Sequence, residues 1–488
     1  MNRKLAGWIA GASLLGSAAA MALPLCFAAI SGERLDLFLI PMLCCALPGS
    51  LLLRYGRGER VISAREGLLS IGLCWLILSL CGSLPLSLSG QLSFIDSVFE
   101  IISGYTTTGA TILTDVEALP RSLLLWRALT QWIGGVGFVV FMVMLVPASQ
   151  GSTMNLAEAE ASPAAEKLFP RFRQSAAVLC GVYGGLTLVE AILLCFAKMP
   201  LWESVCHALA TAGTGGFSTR NLGIAAYQSP AVESIIAFFM LIFGVNLKLV
   251  WLFVTGRAAQ ALKNEELRWY AGLFLGFWLI IAGSLILDGK ALVNALGLAF
   301  FQTASAISTT GFASADFNRW PQLCRLLLPL ITMLGACTGS SGGGLKIARV
   351  IVAGKAMKRE LHRSRQPQIV KIATLDGQPV AEATIQRTLT FILIYLSFFL
   401  VGWILLAAAG ADLETAGSAV LTCMNNSGTG LNGVGPLGSY AAFPPFSKLV
   451  LCLVMLAGRL EFYPLLLICL PETWTAPTLK INSEKRSS

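Results

Sequence analysis

Residues 103–111 read SGYTTTGAT, a stretch with six hydroxyl-bearing side chains and two glycines. Apolar runs at 67–86 and 122–147 flank it, each long enough to cross a bilayer as a helix, which takes about 20 residues. The polar stretch therefore falls at membrane depth. Irregular backbone there is costly against lipid and is tolerated only where protein buries it or where it lines water.

The rest of the chain fits that setting. Of 488 residues, 55 % are hydrophobic and 12 % charged, and the mean hydropathy is +0.72. These values describe a multi-pass membrane protein rather than a large soluble core. Among thirteen cysteines, Cys26, Cys44, Cys45, Cys74, Cys195 and Cys452 sit inside apolar runs, so they read as small buried hydrophobes and not as a disulfide framework. The net charge of +9 is concentrated in a few connections and reports membrane sidedness; nucleic acid need not be invoked. The amino end, MNRK before an apolar run and GSAAA, has features of a secretory signal. Its apolar stretch continues from Leu5 to Ile30, longer than a usual signal core, so a retained helix is expected.

Outward from residue 103 the same arrangement recurs four times: spanning run, short amphiphilic run, Gly/Thr/Ser stretch, spanning run. The spanning runs lie at 67–86 and 122–147, 174–197 and 231–255, 269–288 and 322–354, and 388–410 and 446–470. Two helices precede them within 1–65, and ten crossings are expected in all. The units occupy 66–150, 172–258, 268–360 and 386–471, with a cytoplasmic tail over 472–488. If the amino terminus is cytoplasmic, one side collects Arg54, Arg57, Arg60, Arg65, Arg171, Arg173, Arg257, Lys263 and Arg268. It also collects Lys355, Lys358, Arg359, Arg363, Arg365 and Lys371, while Arg34, Lys198 and Arg220 are scattered on the other. Set side by side, FEIISGYTTTGAT, HALATAGTGGFST, QTASAISTTGFAS and VLTCMNNSGTGLN align on Gly109, Gly216, Gly311 and Gly428. In the second copy the neighbouring Gly215 leaves the register open by one residue. A period near 100 residues marks repetition of a whole supersecondary unit. Each unit has an even number of crossings, so all four point the same way.

The amphiphilic runs begin near Ile95, Trp202, Leu296 and Leu413. About ten helical residues span about 15 Å, half of a hydrocarbon core, so such a run enters the membrane but cannot cross it. Four copies around a pseudo-fourfold axis would bring their returning segments onto one path, where main-chain carbonyls can replace the hydration of a cation. The carboxyl ends of the short helices would aim partial negative charge at the same axis. Glycine permits backbone angles that a Cβ hinders, and Thr107, Thr108, Thr214, Thr309, Thr310 and Ser427 can brace the turns. Glu100 precedes the first stretch, but no carboxylate lies within the polar part of any of the four. That favours a monovalent ion over Ca²⁺ or Mg²⁺. One such stretch alone would read as a surface loop; four in register read as an ion filter.

Below the expected filter, Arg459 lies in LVMLAGRLEFYPLLL, near the middle of the last apolar run, where a charge marks a functional site by default. It is expected to stand as a positive barrier, with Glu461 on a different face of the helix. GACTGSSGGGLK, 335–346, has five glycines within its first ten residues, which should unwind the third inner helix into a movable loop. Lys346 and Asn246 are weaker pore-facing candidates. GSSGGGLK carries Leu345 where a phosphate-binding loop needs lysine, and GTGLNG at 428–433 lacks a strand–helix context, so neither reads as a nucleotide site. His207 and His362 lie far apart and form no metalloprotease pair; His207 reads as structural.

TTTGAT, GGFST, TTGF, QWIGGVGFVV, TGSSGGGLK and GRLE, in this order over nearly the whole chain, resemble the Trk/Ktr/HKT superfamily, and most closely its bacterial Trk branch. The resemblance implies an all-α polytopic fold of two amino-terminal helices plus four helix/pore-loop/helix repeats, and no enzymatic activity. It implies gated K⁺ uptake, passive or proton-coupled, across the bacterial inner membrane. K⁺ is the transported ion, with no cofactor in the chain. It further implies a homodimer, contact with membrane lipids and a cytosolic nucleotide-binding regulatory subunit of the TrkA kind. The K⁺-binding residues it implies are Thr107, Thr108 and Gly109; Thr214, Gly215 and Gly216; Thr309, Thr310 and Gly311; and Asn426, Ser427 and Gly428. Its gate corresponds to Arg459 with Gly339, Gly342, Gly343, Gly344 and Lys346. Two departures bear on K⁺ over Na⁺ preference: threonine in SGTGL at 427–431 where proline is common, and an extra small residue in AGTGG. The competing readings are a secondary transporter of Na⁺ or a small solute, which parallel repeats argue against, and a membrane enzyme, for which no clustered His, Asp or Glu is apparent.

Overall fold

Four short helices, Phe94–Tyr105, Leu201–Ala212, Leu292–Ile307 and Leu413–Met424, each stop at the same distance before Gly109, Gly216, Gly311 and Gly428. Three have 12 residues, about 18 Å, and none is long enough to cross a bilayer. The third has 16 and starts at Leu292, earlier than its sequence suggests. Ser93 and Asp412 cap the first and fourth by accepting from the amides of Asp96 and Thr415. All four end alike. Thr107, Thr214, Thr309 and Asn426 adopt positive φ, 56°, 52°, 57° and 53°. Each donates its amide to the carbonyl three residues back, and the following residue donates to the carbonyl five back, as in Thr107 to Gly104 (2.9 Å) and Thr108 to Ser103 (2.8 Å). That is a Schellman ending, which usually takes glycine or asparagine at the left-handed position.

The computed structural model describes residues 3–56, 64–145, 172–366 and 372–470. Arg57, Arg60, Arg171, Lys371 and the tail 472–488 lie outside the described residues. The amino-terminal helices Arg3–Ser31 and Asp36–Tyr55 pack on each other and on the first outer helix, Ala64–Gly82. The other outer helices are Phe172–Phe196, Glu265–Leu287 and Glu382–Ala408. One apolar cluster joins the amino-terminal pair to repeats 1 and 4, and a second joins repeats 2 and 3.

Among the described residues six helices are long and apolar enough to cross a membrane; Pro230–Phe243 and Leu247–Val254 meet the same test only when taken together, as a pair bent by 110°. The rest of the ten expected crossings are inner elements that do not qualify alone. Only the first inner helix, Arg121–Leu145, is continuous. The expected straight run at 231–255 is broken at Gly244–Asn246, where Asn246 accepts from the Lys248 amide and starts a new helix. The third inner run stops at Leu334 and resumes at Ile347, as its glycines predict. The last run also breaks: Pro445–Arg459 ends, Glu461 and Phe462 take positive φ, and Tyr463–Cys469 follows. Arg459 therefore ends a helix, whereas the sequence placed it mid-helix. A two-stranded antiparallel hairpin, Thr374–Leu375 with Gln378–Pro379, links repeats 3 and 4.

Candidate functional site

The four glycines close a ring. A Cβ built on Gly109 would overlap the carbonyl oxygen of Gly215, one on Gly216 that of Thr310, one on Gly311 that of Ser427, and one on Gly428 that of Thr108. Each contact joins neighbouring repeats, and the fourth returns to the first. In every repeat the carbonyl involved belongs to the residue just before the glycine. The glycines themselves have φ of 79°, 74°, 82° and 68°. The positive φ at Gly216 settles the register of the second copy. Left-handed residues alternate with others at Thr107 and Gly109, Thr214 and Gly216, Thr309 and Gly311, and Asn426 and Gly428. Alternating the hand of the backbone turns successive peptide groups toward the same side, whereas a single hand would spiral them. Threonine in the left-handed region is strained by about 1–3 kcal/mol and persists only where its surroundings fix it.

Those surroundings are visible. Thr106 and Thr108 share a hydroxyl–hydroxyl bond of 2.8 Å, and Ser308 and Thr310 one of 2.7 Å. Gln131 of the first inner helix donates to Gly215 O (2.8 Å) and accepts from the Phe217 amide (3.1 Å). Asn426 donates to Thr108 Oγ1 (3.0 Å) and Met455 O (3.1 Å), Tyr440 donates to Gly428 O (2.6 Å), and Thr429 Oγ1 donates to Gly311 O. Behind the first segment, buried Glu100 pairs with buried Arg127 at 2.7 Å and accepts from the Ile112 amide (2.9 Å) and Thr111 Oγ1 (2.9 Å). Breaking a buried pair from one side costs about 3–5 kcal/mol. Glu100→Gln is accordingly expected to lower the thermal unfolding midpoint in detergent clearly; an unchanged midpoint would show that the pair does not support the turn.

On one side of the ring lies a vestibule of about 280 Å³ whose wall includes all four glycines. Two arginines line it, and both are matched by carboxylates: Arg127 by Glu100, and Arg220 by Glu203 (2.7 Å) and Glu117 (3.5 Å). Both guanidinium charges of the vestibule are thus paired. His207, fully buried, bonds Glu203 O (2.8 Å) and Ser218 Oγ (3.0 Å) and stacks on Phe312, a bracing position consistent with its structural reading.

On the other side the 335–346 loop presses against the ring. Gly343 N donates to Thr309 Oγ1 (2.7 Å), and Cβ atoms on Gly342 and Gly343 would meet Ser308 O and Asn425 O. Gly335, Gly339 and Gly344 all have positive φ. The loop answers the break in the second inner helix: Cys337 N donates to Gly244 O (2.9 Å), Leu247 N to Gly339 O (3.3 Å), and Gly339 lies against Asn246. Backbone groups freed by two broken helices thus satisfy each other at membrane depth. Arg459, 2 % exposed, donates to Ser341 O (2.7 Å) and Gly134 O (3.1 Å), tying the loop to the first inner helix. Lys346, also buried, has φ 71° and donates to Gly342 O. Glu461 pairs with Arg349 at 2.7 Å.

All twelve residues expected in the filter, and all six expected in the gate, therefore fall within two adjoining layers. Gln131, Tyr440 and the Glu100–Arg127 pair lie outside the residues that the repeated sequence pattern singles out for the site. Arg127 and Gln131 carried a usable signal, since both interrupt the apolar run at 122–147.

Four half-length helices, each delivering a strained turn to one ring between a vestibule and a glycine-rich loop, define a polytopic helical membrane protein. The profile of the TrkH family, described as a cation transport protein, matches residues 37–473, and the chain belongs to that family. It is a transporter and not an enzyme. The chain is 34 % identical over 436 residues to the Trk system potassium uptake protein TrkH of Salmonella typhimurium, covering 87 % of this chain and 89 % of that protein. It is 35 % identical over 437 residues to the protein of that name from Escherichia coli K12, with the same coverage. The crystal structure of the potassium transporter TrkH from Vibrio parahaemolyticus superposes with a TM-score of 0.88 at 28 % identity, covering 97 % of this chain and all of that one.

Proposed function

We propose that this chain takes up K⁺ across the bacterial inner membrane through the path encircled by Gly109, Gly216, Gly311 and Gly428. The observation that carries the reading is the closed ring of contacts among four segments with one backbone pattern. Oxygens of Thr107, Thr108 and Gly109, Thr214, Gly215 and Gly216, Thr309, Thr310 and Gly311, and Asn426, Ser427 and Gly428 replace the water around a K⁺ ion. No carboxylate stands in these segments, which suits a monovalent ion. The names of the relatives, potassium uptake proteins of the Trk system, support K⁺ as cargo.

The 335–346 loop is the gate, with Gly339, Gly342, Gly343 and Gly344 giving it room to move and Arg459 and Lys346 holding it closed. The basic connections face the cytoplasm, which places the amino terminus there. The Trk system name of the relatives supports association with a regulatory subunit; in our reading that subunit is cytosolic and nucleotide-binding, and the protein works as a homodimer, as the family resemblance implies. In K⁺-starved cells that lack other K⁺ uptake systems, expression with that subunit is expected to restore Rb⁺ uptake, competed by K⁺ and weakly by Na⁺. Absence of uptake, or equal competition by Na⁺, would contradict the assignment.

A further inference from the structure

The first turn of the third outer helix holds two neighbouring carboxylates that face different parts of the molecule. Glu266 is buried, and its Oε1 accepts from Thr338 N (2.7 Å), Thr338 Oγ1 (3.0 Å) and Ala348 N (3.1 Å). Thr338 lies in the descending limb of the glycine loop, and Ala348 in the first turn of the helix that follows it. One oxygen thus pins both limbs, helped by the positive end of that helix. Glu265, the preceding residue, pairs with Lys355 (2.5 Å) and accepts from the Asp376 amide (3.3 Å). Asp376 returns two bonds, accepting from Glu265 N (2.5 Å) and Asn264 Nδ2 (2.9 Å), while Lys355 donates to Thr374 O (2.7 Å). The hairpin at 374–379 is therefore clamped to the same helical turn that holds the loop.

We propose that Glu266 is the latch that positions the 335–346 loop beneath the ring, and that Glu265 and Asp376 connect that latch to the surface hairpin. The inference rests on the loop being the gate. Removing the Glu266 carboxylate leaves three donors without their acceptor, which is expected to shift the loop equilibrium by about tenfold or more. A displaced hairpin pulls on the turn through Glu265 and loosens the loop by the same route. Cys337, fully buried in the loop, reports its release.

The test uses the full-length protein reconstituted in vesicles, reading Rb⁺ flux and thiol labelling resolved by peptide mass spectrometry. Glu266→Ala is expected to raise flux and Cys337 labelling about tenfold, while Cys423 and Cys452, buried in another part of the protein, stay protected. Unchanged flux and unchanged Cys337 labelling would overturn the latch. If all three cysteines react, the variant has unfolded, and the hairpin substitution Asp376→Ala decides: selective labelling of Cys337 supports the connection, and none overturns it. Arg459→Ala separates the two ideas. If it raises flux and Glu266→Ala does not, the latch fails and the gate stands; if Cys337 is freed and neither variant raises flux, the loop is not the gate.

Discussion

Gly109→Ala is expected to abolish Rb⁺ uptake, by about 100-fold or more, while the protein still reaches the membrane. Two costs add. Alanine at φ 79° is strained by about 1–2 kcal/mol, and its Cβ would overlap the Gly215 carbonyl, so two repeats must separate. Each 1.36 kcal/mol is tenfold in rate. Gly311→Ala should behave alike, because its Cβ would overlap the Ser427 carbonyl. Gly256→Ala is the control: φ is 75° there, yet nothing lies within 4 Å of the added carbon. Uptake by that variant should stay near wild type. Equal losses in Gly256→Ala and Gly109→Ala would mean that backbone strain alone, and not the ring, sets the effect.

Arg459→Ala is expected to raise cation flux about tenfold in protein reconstituted without any partner. The guanidinium holds the loop at Ser341 and the first inner helix at Gly134 from the end of a third element, so its removal frees the loop from both. Bonds to a charged donor contribute about 1.5–3 kcal/mol each, which is ample for such a change. Arg459→Lys keeps the charge but cannot span both carbonyls with a planar fork, and should fall between. Unchanged or reduced flux in well-folded Arg459→Ala would count against the barrier.

Much of this architecture is legible in the sequence because its marks are local. Short amphiphilic runs, a glycine at fixed distance after each, and apolar runs on both sides recur four times, so the half-length helices, the four glycine turns and the glycine loop all fall where the pattern puts them. The breaks in the second and fourth inner helices are a different matter. FGVNL carries no proline, and only Gly244 and Asn246 weaken the helix; the break is stabilised by Cys337 and Gly339 from another repeat. At Phe462 a bulky residue sits at φ 64°, held by packing against Phe391, Tyr395 and Phe398 at ring distances of 5.4, 6.3 and 4.9 Å. Tertiary contact overrides local preference at both places. Glu266 is hidden for a related reason. An acidic residue in a first helical turn reads as an ordinary complement to the helix dipole, and only the fold reveals that it gathers two donors from a loop residue 72 positions away and a third from the helix that follows the loop.

The most direct test of the central claim is anomalous diffraction from crystals of the protein grown in Rb⁺. The account predicts density on the axis between Gly109, Gly216, Gly311 and Gly428, surrounded by main-chain oxygens from all four repeats. An axis without Rb⁺, or Rb⁺ held only by carboxylates elsewhere, would contradict it.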